Sequence, residues 1–450
     1  MQFRLTPLVL ANLAAAMVLP SLNGFDVESV FGQNAITEKS KVAKPFEKTR
    51  NSPAPLVTGS NVAPNRYIVV FNDDVAEGDF ATQKSWITSL VQSAMGIEEG
   101  ETLASFQLPS FLGLLGAFNE DVLKKIQDSP HVKYVEEDGV IDLYGTKVQE
   151  DATWGISRLS SRKNDQVLDT YTYDPSGGEG VTAYVVDTGV KVSEADFEGR
   201  AVYGEAVAFP HLQVDLHGHG SHVAGTIGSK TWGVAKLVDI VAVGVMGPLG
   251  TGLTSDIIKG LEFVVLDHQK KIKEKKKGFK GSTVNMSIGG GISDALDAAT
   301  NAAVNSGIHV VVAAGNDDAD ACEYSPARAS GPITVGAVDK SDNKASFSNY
   351  GKCVDIHAPG VDIESVGLVI NPAVMSGTSM ASPHVAGLAS YLLSLQPGLG
   401  SEFNSNLIKP DDFKKKLIKY GTQDVIHGLS GDTVNVLAYN GGDKPTEIWN

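Results

Sequence analysis

Cysteine is nearly missing from this chain of 450 residues, which has only Cys322 and Cys353. Two cysteines exclude a disulfide framework and a four-cysteine zinc site. Basic charge is also short: 37 Lys and Arg face 53 Asp and Glu, a net charge of −16. That balance argues against a nucleic-acid binder and against a protein held on anionic lipid. The one basic run, KKIKEKKKGFK at residues 270–280, has no interleaved aromatic pattern and reads as a solvated helix end and loop. Past residue 22 no segment approaches the roughly 18 apolar residues of a membrane span. No internal repeat occurs, and no His-Glu-X-X-His metal motif. Yet 20% charged and 42% hydrophobic residues make an ordinary globular composition with material for a sizeable core.

What is present begins with Arg4, followed by an apolar run from Leu5 to Pro20 without an acidic residue. This pattern predicts a secretory signal peptide over residues 1–22, too short for a comfortable bilayer anchor. In an oxidising compartment Cys322 and Cys353 can pair, with two buried free thiols as the alternative. Residues 23–63 are polar, without apolar periodicity, and read as a flexible linker. A strand at Arg66–Phe71, a helix at Ser85–Met95, a strand at Phe111–Phe118, a helix at Glu120–Ile126 and a strand at His131–Val135 then predict a small α+β domain over 64–148.

From residue 152 to 450, apolar runs at 181–186, 238–243, 283–288 and 308–314 alternate with helical stretches at 255–268, 294–306 and 379–395. Strands that are apolar throughout are buried on both faces, so the pattern predicts an α/β domain with a parallel sheet flanked by helices. In such sheets the working residues lie past the carboxyl ends of the strands.

Three motifs occupy such positions. Asp187 follows the apolar strand of Ala183-Tyr184-Val185-Val186. His219 sits in the glycine-flanked turn Gly218-His219-Gly220-Ser221-His222 that opens a helix, and Ser379 starts the helix of Ser376-Gly377-Thr378-Ser379-Met380-Ala381-Ser382-Pro383. A serine hydroxyl needs a base, and that imidazole needs a carboxylate to hold its tautomer, so acid, base and nucleophile occur in the order Asp, His, Ser. Pro383 is expected early enough in its helix for the missing N–H to cost little.

These motifs resemble those of the subtilisin-like serine proteases, of the proteinase K and cerevisin type of fungal zymogen. The resemblance spans roughly residues 152–440. It implies Asp187 as orienter, His219 as general base and acid, and Ser379 as nucleophile. It also implies that Asn316, ending Val311-Val312-Ala313-Ala314-Gly315-Asn316, shares the oxyanion hole with the Ser379 backbone N–H. Ser221 replaces the family's commoner threonine, and His217 its commoner asparagine. Leu249-Gly250-Thr251-Gly252 and Ser287-Ile288-Gly289-Gly290 correspond to substrate-flanking strands that add a peptide as a further strand. No charge lines the expected pocket at Ser287–Gly290 with Ala313, Ala314 and Gly315, and the resemblance implies broad cleavage after apolar or aromatic residues.

Residues 64–71 and 131–136 resemble the inhibitory propeptide of the same family. The chain is therefore expected to be a self-processing zymogen cut between about Gly145 and Thr153. Its partners would be protein and peptide substrates and its own propeptide, with no nucleic acid, no membrane and a monomeric state. No cofactor is required for the chemistry. Asp355 with the carbonyls of Ser330 and Pro332 matches a structural calcium position of the proteinase K branch. A secreted or vacuolar location follows from the signal peptide, and residues 349–355, cerevisin-like, lean to the vacuole. Asn285-Met286-Ser287 is formally a glycosylation tripeptide but lies in an expected core strand. Two other readings compete: a metal hydrolase built on His217, His219, His222 and Asp215, and an inactive peptide-binding homologue.

Overall fold

The computed structural model describes residues 52–58, 62–95, 103–108, 111–139, 145–164, 167–274, 278–397 and 407–449. The expected signal peptide and most of the expected linker lie outside the described residues.

The small domain runs β1 (Leu56–Val57), β2 (Val62–Phe71), α1 (Glu77–Met95), β3 (Leu103–Leu108), β4 (Phe111–Ala117), α2 (Glu120–Asp128) and β5 (Val132–Gly139). Its five strands lie in the order β1-β5-β2-β4-β3, with only β1–β5 parallel. Phe80, Ile87 and Val91 of α1 and Val122 and Ile126 of α2 repeat at helical spacing and bury against Val69, Phe71, Leu114, Val132 and Val135 of the sheet. The Asn119 side chain starts α2 by accepting from Val122 N at 2.9 Å. Two expectations change here. The sheet reaches into the stretch read as linker: β1 pairs with β5, and the buried Ala54 donates its N–H to Gln127 O at 2.7 Å. Backbone pairing holds this segment, so it leaves no apolar period. Strand β3 is an addition to the expected set, an edge strand whose side chains stay half or fully exposed and so show no buried apolar face.

The larger domain runs β6 (Lys147–Gln149), α3 (Trp154–Leu159), β7 (Tyr171–Tyr173), β8 (Val181–Asp187), β9 (Ala201–Ala206), α4 (His219–Gly228), β10 (Asp239–Gly244), α5 (Thr254–Lys273), β11 (Gly281–Met286), α6 (Asp294–Asn305), β12 (His309–Ala313), β13 (Ile333–Val338), β14 (Ile356–Pro359), β15 (Ile363–Ser365), β16 (Ala373–Met375), α7 (Thr378–Ser394), α8 (Pro410–Tyr420), β17 (Thr422–Gln423) and β18 (Val436–Leu437). A nine-stranded sheet has the order β17-β18-β14-β13-β12-β11-β8-β10-β9. All its pairs are parallel except β17–β18. Alternation along β8 explains the two layers. Val181, Ala183 and Val185 face a core shared with α4 and α7, while Tyr184 and Val186 face one shared with α5 and α6.

Strands β8 and β11 are neighbours, but the chain fills one side of the sheet from β8 and the other from β11. Their carboxyl ends therefore form the topological switch point, where open α/β sheets hold their ligands.

Candidate active site

Asp187 is the last residue of β8 and fully buried. Its Oδ1 accepts from Thr188 N at 2.7 Å and lies 2.8 Å from His219 Nδ1, with Oδ2 at 3.0 Å. Held this way, Nδ1 carries the proton toward the carboxylate and Nε2 is the free, basic nitrogen. His219 begins α4, whose cap, Gly218, has no side chain to offer and sits at φ 98°. Asp215 does the capping instead. Its Oδ1 accepts from His217 N, Gly218 N and Thr188 Oγ1, and its Oδ2 from Ser221 N and Ser221 Oγ, all between 2.6 and 2.9 Å. Thr188 Oγ1 in turn accepts from Gly220 N at 3.0 Å. A side chain at Gly220 would run into the Gly189 carbonyl and the Asp187 side chain, so the helix approaches β8 closely only with glycine there.

Burial alone would lower the His219 pKa, but the Asp187 charge and hydrogen bond, with the Asp215 charge behind them, hold it above the ordinary histidine value.

The β8–β11 register pairs Val185 with Asn285, two residues before Asp187 and Ser287 respectively. Ser379 is fastened to Ser287: its Oγ donates to Ser287 O at 3.1 Å, and Ser287 Oγ donates to Ser379 O at 2.7 Å. Asn285 Nδ2 donates to Ser287 Oγ, and Asn285 Oδ1 accepts from Ser382 Oγ. Pro383 is the sixth residue of α7, beyond the first turn, so the expectation of a cost-free position is corrected. Its missing N–H leaves the Ser379 carbonyl to Ser287 Oγ.

Asn316 Oδ1 accepts from Thr378 N at 2.8 Å and Thr378 Oγ1 at 2.9 Å. Two donors on Oδ1 fix the amide orientation and leave Nδ2 as donor, beside the Ser379 backbone N around Gly377. Neither Thr378 nor Thr188 was singled out from the sequence. The adjacency of each to an expected site residue was the available signal.

The expected substrate track is modified. Residues 247–251 form a turn, with Gly250 N donating to Gly247 O and Gly247 N to Thr251 O, so Gly250 N–H and Thr251 C=O are engaged there. Leu249, at 86% exposure, and Leu253 project from it as apolar contacts. Gly290 exchanges both backbone hydrogen bonds with Ser325, so its N–H and C=O are engaged, although Gly289 and Gly290 are both exposed. Ile288, Ala313 and Ala314 are buried, and Ala314 N donates to Val335 O. The walls at 287–290 and 313–315 carry no charge.

Cys322 and Cys353 form a disulfide. The calcium ligands do not fit a metal ion. Lys414 Nζ lies 2.7 Å from Asp355 Oδ2 and donates to Pro332 O at 2.7 Å, and Ser330 lines the same cavity. Two of the three expected oxygens thus already share a cation belonging to the chain. Burial pushes the Asp355 carboxyl up, and Lys414 pulls it only part of the way back.

The histidine cluster does not assemble either. His222 is buried with Nε2 on Ile363 O at 2.8 Å, His219 is committed to Asp187, and Asp215 is saturated by the α4 turn. Among the described residues no three His, Cys, Asp or Glu side chains are grouped as metal ligands. His217 remains at the rim, its ring 6.2 Å from that of His219.

Residues 178–423 match the model described as the subtilase family, and residues 66–144 the model of peptidase inhibitor I9. Cerevisin of Saccharomyces cerevisiae is 44% identical over 445 residues, covering 90% of this chain and 70% of its own. Alkaline protease 2 of Aspergillus fumigatus is 42% identical, with 88% and 85% covered. Subtilisin-like protease 3 of Saccharomyces cerevisiae is 40% identical, with 97% of each chain covered. A crystal structure of a cold-adapted subtilisin-like serine proteinase superposes with a TM-score of 0.57 at 40% identity, over 64% of this chain and 98% of that one.

Proposed function

Since this chain belongs to the subtilase family of serine proteases and carries an I9-type inhibitor domain, we propose that it is a self-processing endopeptidase zymogen of the secretory pathway. The observation that carries this reading is the pairing of Asp187 with His219 at one strand end and of Ser287 with Ser379 at the next. Turning the Ser379 hydroxyl from Ser287 O to His219 Nε2 hands its proton to the imidazole as Oγ attacks the scissile carbonyl. The Asp187 carboxylate stabilises the imidazolium so formed. Asn316 Nδ2 and the Ser379 N–H receive the negative charge on the carbonyl oxygen. His219 then protonates the leaving amine, and water repeats the sequence on the acyl-enzyme, returning the proton to Ser379. Neither a metal nor an organic cofactor takes part in these steps.

The uncharged walls at 287–290 and 313–315 favour apolar or aromatic side chains before the cut. The processing point is favoured toward the early end of 145–153. Strand β6 already pairs with β7, Gln149 Nε2 donates to Thr231 O, and Ala152 N to Asp169 O, so the chain from Lys147 onward belongs to the larger domain. The basic start and apolar run within the first 22 residues support entry into the secretory pathway, ending outside the cell or in the vacuole.

Expression of wild type beside Ser379→Ala, with N-terminal and intact-mass analysis, tests the reading. Loss of the first 145–153 residues from wild type alone supports it. Trimming of neither protein, with no labelling of Ser379 by a serine-directed phosphonate, overturns it.

A further inference from the structure

We infer that Asn349 is a positioning residue for the oxyanion donor Asn316, resting on the role proposed for Asn316 above. Asn349 is fully buried, and its amide is spent on the loop that carries Asn316. Nδ2 donates to Ala314 O at 3.0 Å, while Oδ1 accepts from Asp317 N at 2.9 Å and Ala319 N at 3.0 Å. Its backbone N–H adds a bond to Gly315 O at 3.0 Å. Asn349 thus grips the backbone on both sides of residue 316. From the other direction Thr378 holds the Asn316 side chain and, through Oγ1, Gly315 N at 3.1 Å.

The fit is reciprocal. Gly315 has φ 106°, and a Cβ there would collide with Asn349 Nδ2. The neighbouring backbone extends the same contact: Asp318 N donates to Phe347 O, Tyr350 N to Ala319 O and Ala321 N to Tyr350 O. The Cys322–Cys353 bond closes the far end. A surface loop after a strand is ordinarily free to adjust, whereas charge stabilisation needs a donor fixed before the charge develops. Residues 347–353 supply that rigidity, and Asn349 is the one side chain among them that bonds to residues on both flanks of Asn316. A buried amide is costly unless satisfied, so three matched partners specify one loop conformation.

A double-mutant cycle on a chromogenic peptide substrate tests this, using processed enzyme from the full chain. Asn349→Ala is expected to lower kcat roughly 10- to 100-fold with KM little changed, the scale of a displaced catalytic group. Asn316→Ala is expected to lower kcat by about 10²–10³. The double variant should be no slower than Asn316→Ala alone, because the donor that Asn349 aims is already gone. Asn349→Asp keeps both acceptor contacts but sets a carboxylate oxygen against Ala314 O in a buried position; its expected loss of kcat lies in the same range, and it decides the cycle if Asn349→Ala does not fold. Losses that multiply in the double variant, or an unchanged kcat in a folded Asn349 variant, overturn the inference. If Asn316→Ala itself keeps full kcat, the oxyanion assignment fails instead.

Discussion

Ser287 Oγ donates to the Ser379 carbonyl at 2.7 Å, in the position a helical N–H would take if residue 383 were not proline. The missing bond in the α7 ladder is thereby replaced by a tie between the proposed nucleophile and the neighbouring strand end. Ser287→Ala is expected to lower kcat about 2- to 10-fold, the worth of one net hydrogen bond of roughly 0.5–1.5 kcal/mol. Steady-state kinetics with a circular-dichroism check of folding would show it, and a kcat equal to wild type would deny the tie a role.

The pH dependence of turnover follows from His219. A free imidazole would lose activity below about pH 6, but Asp187 and Asp215 outweigh burial and raise this one. The acidic limb of kcat/KM, which reports the free enzyme, should therefore have its midpoint above the ordinary 6.5 of histidine. Activity that persists at full level down to pH 5 would contradict this.

Stability should move with pH for a different set of histidines. Burial lowers His222, His268, His357 and His384 to about 4 and His309 to about 3. Below pH 6.5 the unfolded chain binds protons that these folded side chains refuse, so stability present above 6.5 is lost as pH falls toward 4. Each contributes a slope approaching about 1.4 kcal/mol per pH unit. His219 has the opposite sign, since its raised pKa stabilises the fold below 6.5 and loses that effect as pH rises. Urea titrations of Ser379→Ala, which cannot digest itself on the proposed mechanism, would measure the fall. A flat midpoint from pH 7 to 4.5 would count against it.

Lys414 stands where a cation beside Asp355 and Pro332 would have to sit, so chelation should leave this site unchanged. The melting temperature of wild type is expected to be the same in EDTA and in millimolar calcium. Lys414→Met leaves the carboxylate without its cation and should cost a few kcal/mol, toward the 3–5 of a fully buried pair. A wild-type melting temperature that drops in EDTA would sink the assignment.

Much of the architecture was legible because its determinants are local. Strands β8 and β12 are apolar at nearly every position because both faces are covered, and Asp187, His219 and Ser379 sit in glycine- and serine-rich turns that few other structures need. What escaped depends on residues far apart in the chain. Helix α8 is rich in lysine, and only the fold brings Lys414 to Asp355 and Pro332. Asn349 lies in a loop without periodicity, and its partners at 314, 317 and 319 meet it only through the adjacent ends of β12 and the segment after β13. Strand β1, two residues long, carries no pattern a sequence can display.

Strand β11 has a consequence for biosynthesis. Asn285 and Ser287 belong to an Asn-Met-Ser tripeptide, yet Asn285 is buried and its amide is shared between Ser287 and Ser382. Oligosaccharide is attached to such tripeptides as a chain enters the secretory lumen. A sugar on Asn285 would have no room in the closed sheet, and the modified molecule would be barred from its native state. On the proposed route, closure of the sheet competes in time with the transferase, and each molecule that wins emerges with this tripeptide bare.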